Sequence, residues 1–235
     1  HNNACGCASR PALQEAWKAA LAGDPMSAFG GVLITGEPVD EETAREIDKL
    51  FFEVILAPDF KKNALEILQS KKNRIILRQG LAAFPAKQFR SLLNGVIEQG
   101  RDLRTESPDD LHVVTQASPT EHEVEDLLFA NKLVKHTRSN AIVLAKDKQL
   151  IGSGVGQTSR VDALKQAIAK AGEFGFDLKG AVLASDAFFP FSDSVEIAHR
   201  AGIFELGVQV GKLLDEVEEL FFGGQVAALR VQARV

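Results

Sequence analysis

The amino-acid sequence predicts an α/β fold with a largely parallel or mixed sheet. Short apolar segments alternate with segments of helical periodicity along most of the 235 residues, an order that is typical of α/β proteins. The order also repeats. His1 is followed by an Asn pair, a helix and a Gly-Gly strand, and Ser139-Asn140 is followed by a glycine-rich strand and a helix. Two similarities in the same order favour a duplicated α/β unit.

The helices are predicted from apolar residues that recur every three to four positions. Leu13 and Trp17 share one face of the first helix, which Gly23 ends. Ser159 and Asp162 give the last helix a start that resembles a capping box. The predicted helices are 12–22, 40–52, 61–71, 121–134 and 159–171.

The strands are predicted from short apolar runs that end at turn-forming residues. The run 29–35, FGGVLIT, predicts a buried strand. The stretch 80–118 shows little periodicity and contains the breakers Ser107-Pro108 and Ser118-Pro119. The predicted strands are 29–35, 53–58, 73–79, 140–145, 149–156 and 180–185.

Composition and charge exclude several classes of protein. The net charge of −5 and the lack of a Lys/Arg block argue against a nucleic-acid-binding protein. No apolar run approaches the roughly 18 residues that a membrane span needs. The two cysteines, Cys5 and Cys7, are too few and too close for a disulfide framework, so we expect a cytoplasmic protein. His1, Cys5 and Cys7 fit no common zinc spacing, so we expect no metal.

Two glycine-rich turns could approach a ligand. In SAFGG, Phe29 beside Gly30 and Gly31 leaves the backbone accessible to a flat ligand, although a tight bend before a strand explains the same pattern. In GSGVGQTSR, residues 152–160, backbone N–H groups at a helix start could hold an anion. The G-x-G-x-G spacing differs from the dinucleotide-binding fingerprint.

The segment LASDAFFPFSDS, residues 183–194, fits neither a core strand nor an ordinary surface loop. It places three phenylalanines, Phe188, Phe189 and Phe191, around Pro190. Proline cannot donate to the ladder of a central strand, and a surface loop has no ordinary use for three aromatic rings. The residue pattern by itself leaves the role of this segment open.

Taken together, several long segments resemble one family closely. They are DPMSAFGGVLITGEPVD, FRSLLNGVIEQGRD, KHTRSNAIVLAKDKQLIGSGVGQTSRVD and SDAFFPFSDSVEIA. From His1 to about Ile203 the chain resembles the formyltransferase part of the enzyme that fuses aminoimidazole carboxamide ribonucleotide (AICAR) formyltransferase to IMP cyclohydrolase. The resemblance implies duplicated cytidine-deaminase-like three-layer units without zinc. The first would be 1–118 and the incomplete second 119–203, with 204–235 as an atypical tail.

The resemblance implies transfer of a formyl group from the co-substrate 10-formyltetrahydrofolate to the 5-amino group of AICAR, in purine (IMP) biosynthesis. Such a transfer needs a base for the amine, a donor for the developing oxyanion and an acid for the leaving nitrogen. By this resemblance, His1 is the histidine of a catalytic Lys-His pair and Asn140 is the oxyanion-side donor. It also implies a homodimer that builds its sites across both subunits.

The resemblance also assigns the residues that bind the ligands. It places Phe188 against the aminoimidazole and Glu53 where a carboxylate reads the carboxamide. Phe191 and Asp193 would face the pterin, whereas Asp186 is expected to cap a turn. The full substrate-binding set is Phe29, Gly30, Glu53, Arg160, Val161 and Phe188, and the folate-binding set is Met26, Pro190, Phe191 and Asp193.

Departures from the family predict an inactive fragment. The cyclohydrolase domain, the lysine before His1 and a phosphate-binding segment are not in the sequence, so we expect no formyl transfer by this chain alone. After Ile203 the family pattern stops, and the run 211–222 predicts a helix that docks loosely and leaves a sheet position unfilled. The alternative function is a non-catalytic deaminase-like domain that binds a nucleotide or a partner.

In the longer enzyme, His1→Ala is expected to abolish most formyl transfer while the fold is retained, because the catalytic base is lost. Steady-state kinetics and circular dichroism measure the two effects. A kcat within about threefold of the wild-type value, or roughly 0.6 kcal/mol, would contradict the catalytic role of His1.

Overall fold

The α/β class is confirmed by the computed structural model, which describes residues 3–80, 83–114, 117–203, 205–210 and 227–232, the last two ranges through their backbone. Among these residues no helix has both the length and the apolar character needed to cross a membrane. The helices are α1 (Leu13–Gly23), α2 (Glu41–Ile47), α3 (Lys62–Gln69), α4 (Glu121–Lys135), α5 (Arg160–Glu173) and α6 (Asp193–Arg200). The strands are β1 (Gly31–Ile34), β2 (Phe52–Ala57), β3 (Ile75–Arg78), β4 (Lys87–Leu92), β5 (Gly95–Gly100), β6 (Leu111–Val113), β7 (Ile142–Lys146), β8 (Gln149–Gly154), β9 (Val182–Ser185), β10 (Glu205–Val210) and β11 (Ala227–Gln232).

Side-chain caps determine where several helices begin. The Ser159 hydroxyl accepts the Asp162 N–H at 3.0 Å, which confirms the start predicted for α5. Thr120 forms a reciprocal capping box with Glu123 at the start of α4. Each cap satisfies an N–H group that has no partner inside the helix.

The strands β1, β2 and β3 form a parallel sheet with α1, α2 and α3 packed on one face. The core between these layers includes Phe52 and Ile55, each at most 1 % exposed. On the opposite face, Val32 and Ile34 are 62 % and 71 % exposed. The strand predicted at 29–35 is therefore not buried on the face that carries Val32 and Ile34, and the prediction is wrong there. Among the described residues, helices cover only the opposite face of this sheet.

The second sheet has six strands in the order β6-β11-β10-β9-β7-β8. Strands β9, β10 and β11 are parallel, whereas β7 is antiparallel to both of its neighbours and β6 is antiparallel to β11. Helix α4 packs on one face, against Val143 and Val182, and α5 and α6 pack on the other, against Leu144 and Leu183. This part of the chain therefore has three layers, with helices on both faces of a mixed sheet.

The tail contributes two strands to the second sheet. β10 pairs in parallel with β9, and β11 pairs in parallel with β10. The prediction that the tail leaves a sheet position unfilled is wrong, because the backbone groups at the edge of β9 find hydrogen-bonding partners in 205–210. The predicted helix in 211–222 lies outside the described residues. β6, which precedes residue 118, also pairs with β11. The predicted division of the chain into two halves at residue 118 stays a prediction.

The segment before α1 connects the two sheets. The Leu150 N–H donates to the Cys7 carbonyl at 2.8 Å, so this segment lies along the edge of β8. Helix α1 then packs Leu13 and Trp17 against the core of the three-stranded sheet. The first predicted helix thus packs its apolar face on the three-stranded sheet, whereas the segment before it pairs with β8 of the six-stranded sheet.

One hairpin had no prediction, and one predicted helix is too long. The stretch 80–118, for which no element was predicted, contains the hairpin of β4 and β5, and Asn94-Gly95, a dipeptide typical of hairpin turns, was its available signal. The helix predicted over 40–52 ends at Ile47, because the following Phe52 is buried in the sheet as the first residue of β2. Burial in the sheet outweighs the local helical pattern there.

Helix α5 packs directly on β8 because two glycines leave room for its backbone. A Cβ atom at Gly154 would lie 1.8 Å from the Ala163 carbonyl oxygen, and one at Gly152 would lie 2.4 Å from that of Ala167. Helix–strand contact therefore accounts for two of the three glycines that suggested an anion-binding turn. The third, Gly156, has a φ of 64° in the turn before α5.

Gly154→Ala is expected to lower the free energy of unfolding by about 1–3 kcal/mol, because the added methyl group overlaps the α5 backbone. Gly172→Ala is the matched control, since a Cβ there would meet none of the described atoms within 4 Å outside its own helix. The control should be neutral or stabilising by up to about 1 kcal/mol. Urea denaturation compares the two variants, and equal stabilities would contradict the close contact.

Candidate active site

The guanidinium group of Arg160 joins three segments at the start of α5. Its Nη1 donates to Asn140 Oδ1 (2.9 Å) and to Asp186 Oδ1 (3.3 Å). Its Nε donates to the Phe188 carbonyl oxygen (3.1 Å). We call these four residues the arginine cluster. The structure thus brings together three residues that the sequence assigned to the site, and Val161 follows in the first turn of α5.

Asp186 stabilises the arginine cluster from the loop after β9. Its Oδ1 also accepts the Ala141 N–H at 3.0 Å, and its own N–H donates to the Ala141 carbonyl. The side chains of Arg160 and Asp186 are only 12 % and 14 % exposed. This ion pair is therefore shielded from water and ties the start of β7 to the loop. The turn-capping role expected for Asp186 stays a prediction, because its carboxylate accepts the N–H of the distant Ala141.

The side chain of Asn140 is fully engaged. Its Nδ2 donates to the carbonyl oxygens of Gln157 (3.0 Å) and Thr158 (3.2 Å), while Oδ1 accepts from Arg160. The peptide bond between Ser139 and Asn140 is cis. Donation to an oxyanion would require Nδ2 to release one of its two carbonyl partners, so the role of Asn140 as oxyanion donor stays a prediction.

The loop between β9 and α6 packs one aromatic ring against the core and exposes two. Phe189 is half-buried against the core between α5 and the sheet. Phe188 and Phe191 are 40 % and 71 % exposed, and Pro190 and Asp193 are also exposed. The half-buried ring anchors the loop, and the exposed rings are free to stack on a flat molecule. This division accounts for three phenylalanines in one loop.

The second set of predicted residues lies on the turn between α1 and β1. We call residues 24–31 the phenylalanine turn. Phe29 is 69 % exposed and its ring centroid lies 5.1 Å from that of Phe51. Gly30 has a φ of 71°, and its N–H donates to the Phe51 carbonyl (2.9 Å). Glu53 is exposed two residues further on.

Phe51 was missed by the sequence analysis, which placed it inside a predicted helix. Its ring is 50 % exposed and tilted by 43° to that of Phe29. The two adjacent phenylalanines were a signal in the sequence. Successive side chains of a strand point to opposite faces, so Phe51 and Phe52 cannot both face the same core.

The arginine cluster and the phenylalanine turn are separate in this chain. Lys170 of α5 forms an ion pair with Asp24, the first residue of the phenylalanine turn. Lys170 follows Arg160 by ten residues on the same helix, and a rise of 1.5 Å per residue separates them by about 15 Å. The predicted residues therefore form two groups, and His1 lies outside the described residues.

One group of described residues has side-chain atoms close enough to share a metal ion. The ligand atoms of His122, Asp126 and Asp147 lie within 4.8 Å of one another. Asp126 is buried, and its carboxylate oxygens accept the N–H groups of Asp147 and Lys148. These bonds stabilise the turn between β7 and β8.

A separate cleft of about 710 Å³ lies at the starts of α2 and α3. It is lined by Asp40, Glu41, Glu42, Arg45, Lys61, Lys62 and Asn63.

The fold and the two residue groups define an α/β domain that exposes aromatic rings beside shielded polar side chains, an arrangement suited to flat polar ligands. The family model for the AICARFT/IMPCHase bienzyme matches residues 1–170. The chain belongs to this family.

The relatives are longer than this chain. The bifunctional purine biosynthesis protein PurH of Bacteroides thetaiotaomicron is 64 % identical over 217 residues, which are 92 % of this chain and 43 % of the relative. PurH of Aquifex aeolicus is 49 % identical over 218 residues, 92 % of this chain and 42 % of the relative. A chain matched over 92 % of its length is matched beyond Ile203, so the expectation that the family pattern stops there is wrong.

A solved structure gives a weaker match. The Thermotoga maritima diaminohydroxyphosphoribosylaminopyrimidine deaminase/5-amino-6-(5-phosphoribosylamino)uracil reductase is 21 % identical, with a TM-score of 0.24. It covers 37 % of this chain and 28 % of that protein. This likeness is too low to carry an argument about the fold or the site.

Asp186→Ala is expected to lower the free energy of unfolding by about 3 kcal/mol, because Arg160 would keep its shielded charge without the ion-pair partner. Arg45→Ala is the control: its pair with Glu41 leaves the two side chains 64 % and 39 % exposed, and its loss should cost less than about 1 kcal/mol. Urea denaturation at neutral pH measures both changes. Equal losses would mean that the arginine cluster is not shielded from solvent.

Proposed function

We propose that this chain supplies the formyltransferase part of a purine-biosynthesis enzyme. The reaction is transfer of a formyl group from 10-formyltetrahydrofolate to the 5-amino group of AICAR. Membership in the bienzyme family and the PurH relatives support this proposal. The observation that carries it is the arginine cluster, where Asn140, Arg160 and Phe188 converge from three segments.

The proposed chemistry forms one C–N bond and breaks another. The 5-amino nitrogen attacks the formyl carbon, the carbonyl electrons move to the oxygen, and the bond to the folate N10 then breaks. One proton leaves the attacking amine and one is added to N10. His1 is the proposed base for the amine. Asn3, two residues after His1 in the sequence, accepts the Arg138 N–H through its side chain (3.0 Å), beside the turn that carries Asn140.

Asn140 and Arg160 are proposed to act on the developing oxyanion together. The guanidinium holds Asn140 Oδ1, so the amide group is oriented before substrate arrives. Nδ2 of Asn140 donates to two backbone carbonyls, and the bond to Thr158 is the longer one at 3.2 Å. If Nδ2 releases the Thr158 carbonyl, it can donate to the oxyanion instead. Val161, the second residue of α5, would approach the reacting centre through its backbone.

The exposed rings are proposed to bind the two heterocycles. Phe188 would stack on the aminoimidazole, and Phe191 with Pro190 would contact the pterin. Asp193 is exposed at the start of α6, where its carboxylate could accept pterin N–H groups. Met26 is 76 % exposed and would add a thioether contact to the folate.

Phe29, Gly30 and Glu53 are proposed to complete the nucleotide site from the second subunit of a homodimer. The two groups contact α5 ten residues apart, at Arg160 and Lys170, and this separation along the helix supports the arrangement. In the same proposal the fold is a pair of cytidine-deaminase-like units without zinc. The protein is cytoplasmic and binds neither nucleic acid nor membrane.

The shared sites can be tested by subunit complementation in the longer enzyme. Phe29→Ala and Arg160→Met should each abolish most formyl transfer. If sites are shared, mixing equal amounts and allowing subunits to exchange should restore about a quarter of the wild-type activity, because half of the dimers regain one of two sites. A mixture as inactive as its components would contradict the shared site.

Calorimetry on the present chain separates catalysis from simple binding. Folate and AICAR are titrated separately and together. The proposal expects binding to be retained in part and formyl transfer to be absent. Binding of both ligands by a longer enzyme that transfers no formyl group would instead favour the non-catalytic nucleotide-binding alternative.

A further inference from the structure

An ion pair with a buried carboxylate lies at the base of the phenylalanine turn. The Asp24 side chain is 5 % exposed, and its Oδ2 pairs with Nζ of Lys170 on α5, whose side chain is 34 % exposed. The Ser27 N–H donates to Asp24 Oδ1 (2.9 Å), and the Ser27 hydroxyl donates to Oδ2 (2.7 Å). Both carboxylate oxygens therefore accept from the turn, and Oδ2 also binds the helix.

The turn has little apolar packing of its own. Met26 and Phe29 are 76 % and 69 % exposed, and Ala28, at 7 %, is the buried apolar residue between them. Hydrogen bonds close the turn, from the Ala28 N–H to the Asp24 carbonyl (3.3 Å) and from the Gly31 N–H to the Ala28 carbonyl (3.0 Å). The turn is thus held by polar contacts at Asp24 and, at its other end, by Phe51, whose carbonyl accepts the Gly30 N–H and whose ring contacts Phe29.

The charge on Asp24 is stable at neutral pH. Burial raises the pKa of the Asp24 carboxyl, but hydrogen bonds from Lys170 and Ser27 outweigh burial and leave the pKa below its ordinary value. A carboxyl whose folded-state pKa is depressed stabilises the fold above its unfolded pKa. That contribution is lost as the pH falls through the folded-state pKa. The pair is therefore intact under the conditions in which an enzyme would work.

We infer that Asp24 and Lys170 are positioning residues: their ion pair fixes the phenylalanine turn on α5 and so orients Met26 and Phe29 toward ligand. Neither residue touches a reacting atom. The identity of the ligand rests on the proposed function, whereas the ordering of the turn does not. Since Lys170 and Arg160 share one helix, the same element sets the positions of both residue groups.

The sequence provides a direct reporter of this ordering. Met26 is the one methionine of the chain, so a protein labelled with methyl-¹³C methionine, its initiator methionine removed, gives one methyl signal. Met26→Leu confirms the assignment. In Asp24→Asn and in Lys170→Gln the signal should move to the position it has in the urea-unfolded chain. Lys170→Arg, which keeps the charge, should hold it at the wild-type position.

Asp48→Asn is the matched control. Asp48 pairs with Arg74 at 2.6 Å, and its side chain is 31 % exposed, so the variant also removes a carboxylate charge from an ion pair in the same unit. It should leave the Met26 signal unchanged. Far-UV circular dichroism identifies any variant that has unfolded. If the Asp24→Asn protein and a folded Lys170→Gln protein both keep the wild-type Met26 signal, the positioning role is overturned.

Titration with folic acid separates this inference from the proposed function. If the wild-type chain binds folate, the Met26 signal shifts with ligand, and Asp24→Asn should raise the Kd about tenfold while Lys170→Arg changes it little. If folate leaves the wild-type signal unmoved, folate binding by this chain fails as a proposal. The response of the free protein to Asp24→Asn and Lys170→Gln decides the positioning role in either case.

Discussion

The contact between α5 and β8 sets the geometry of both residue groups. Gly152 and Gly154 carry no side chain, so the backbone of α5 lies directly on the strand, where a Cβ atom would overlap the carbonyl oxygens of Ala167 and Ala163. Arg160 at its first residue holds the arginine cluster, and Lys170 near its end binds Asp24. The two groups are therefore attached to one helix, ten residues apart.

Two shielded ion pairs connect irregular segments to this helix. Arg160 and Asp186 secure the loop after β9, and Lys170 and Asp24 secure the phenylalanine turn. Neither segment has a complete apolar core, since both present aromatic side chains to solvent. A buried pair is a weak source of stability, but removal of one partner is costly. Such pairs are suited to hold exposed side chains in one orientation.

Aromatic residues are divided between anchoring and presentation in both segments. Phe189 is half-buried against the core while Phe188 and Phe191 are exposed. Phe52 is buried while the neighbouring Phe51 lies against the exposed Phe29. In each pair of adjacent rings the buried one fixes the backbone, so the exposed one can offer a rigid surface at a low cost in conformational entropy.

The α/β class, the cores of the helices, the Ser159 cap and the family could be predicted from the sequence, because they depend on local periodicity, caps and long contiguous motifs. The sequence also named Asn140, Arg160 and Phe188, which the fold brings together. The structure was needed to show that the predicted residues form two groups, that the tail supplies strands, and that one face of β1 is exposed. Those outcomes depend on which distant backbone edge or helix reaches a segment, and no local pattern encodes that contact.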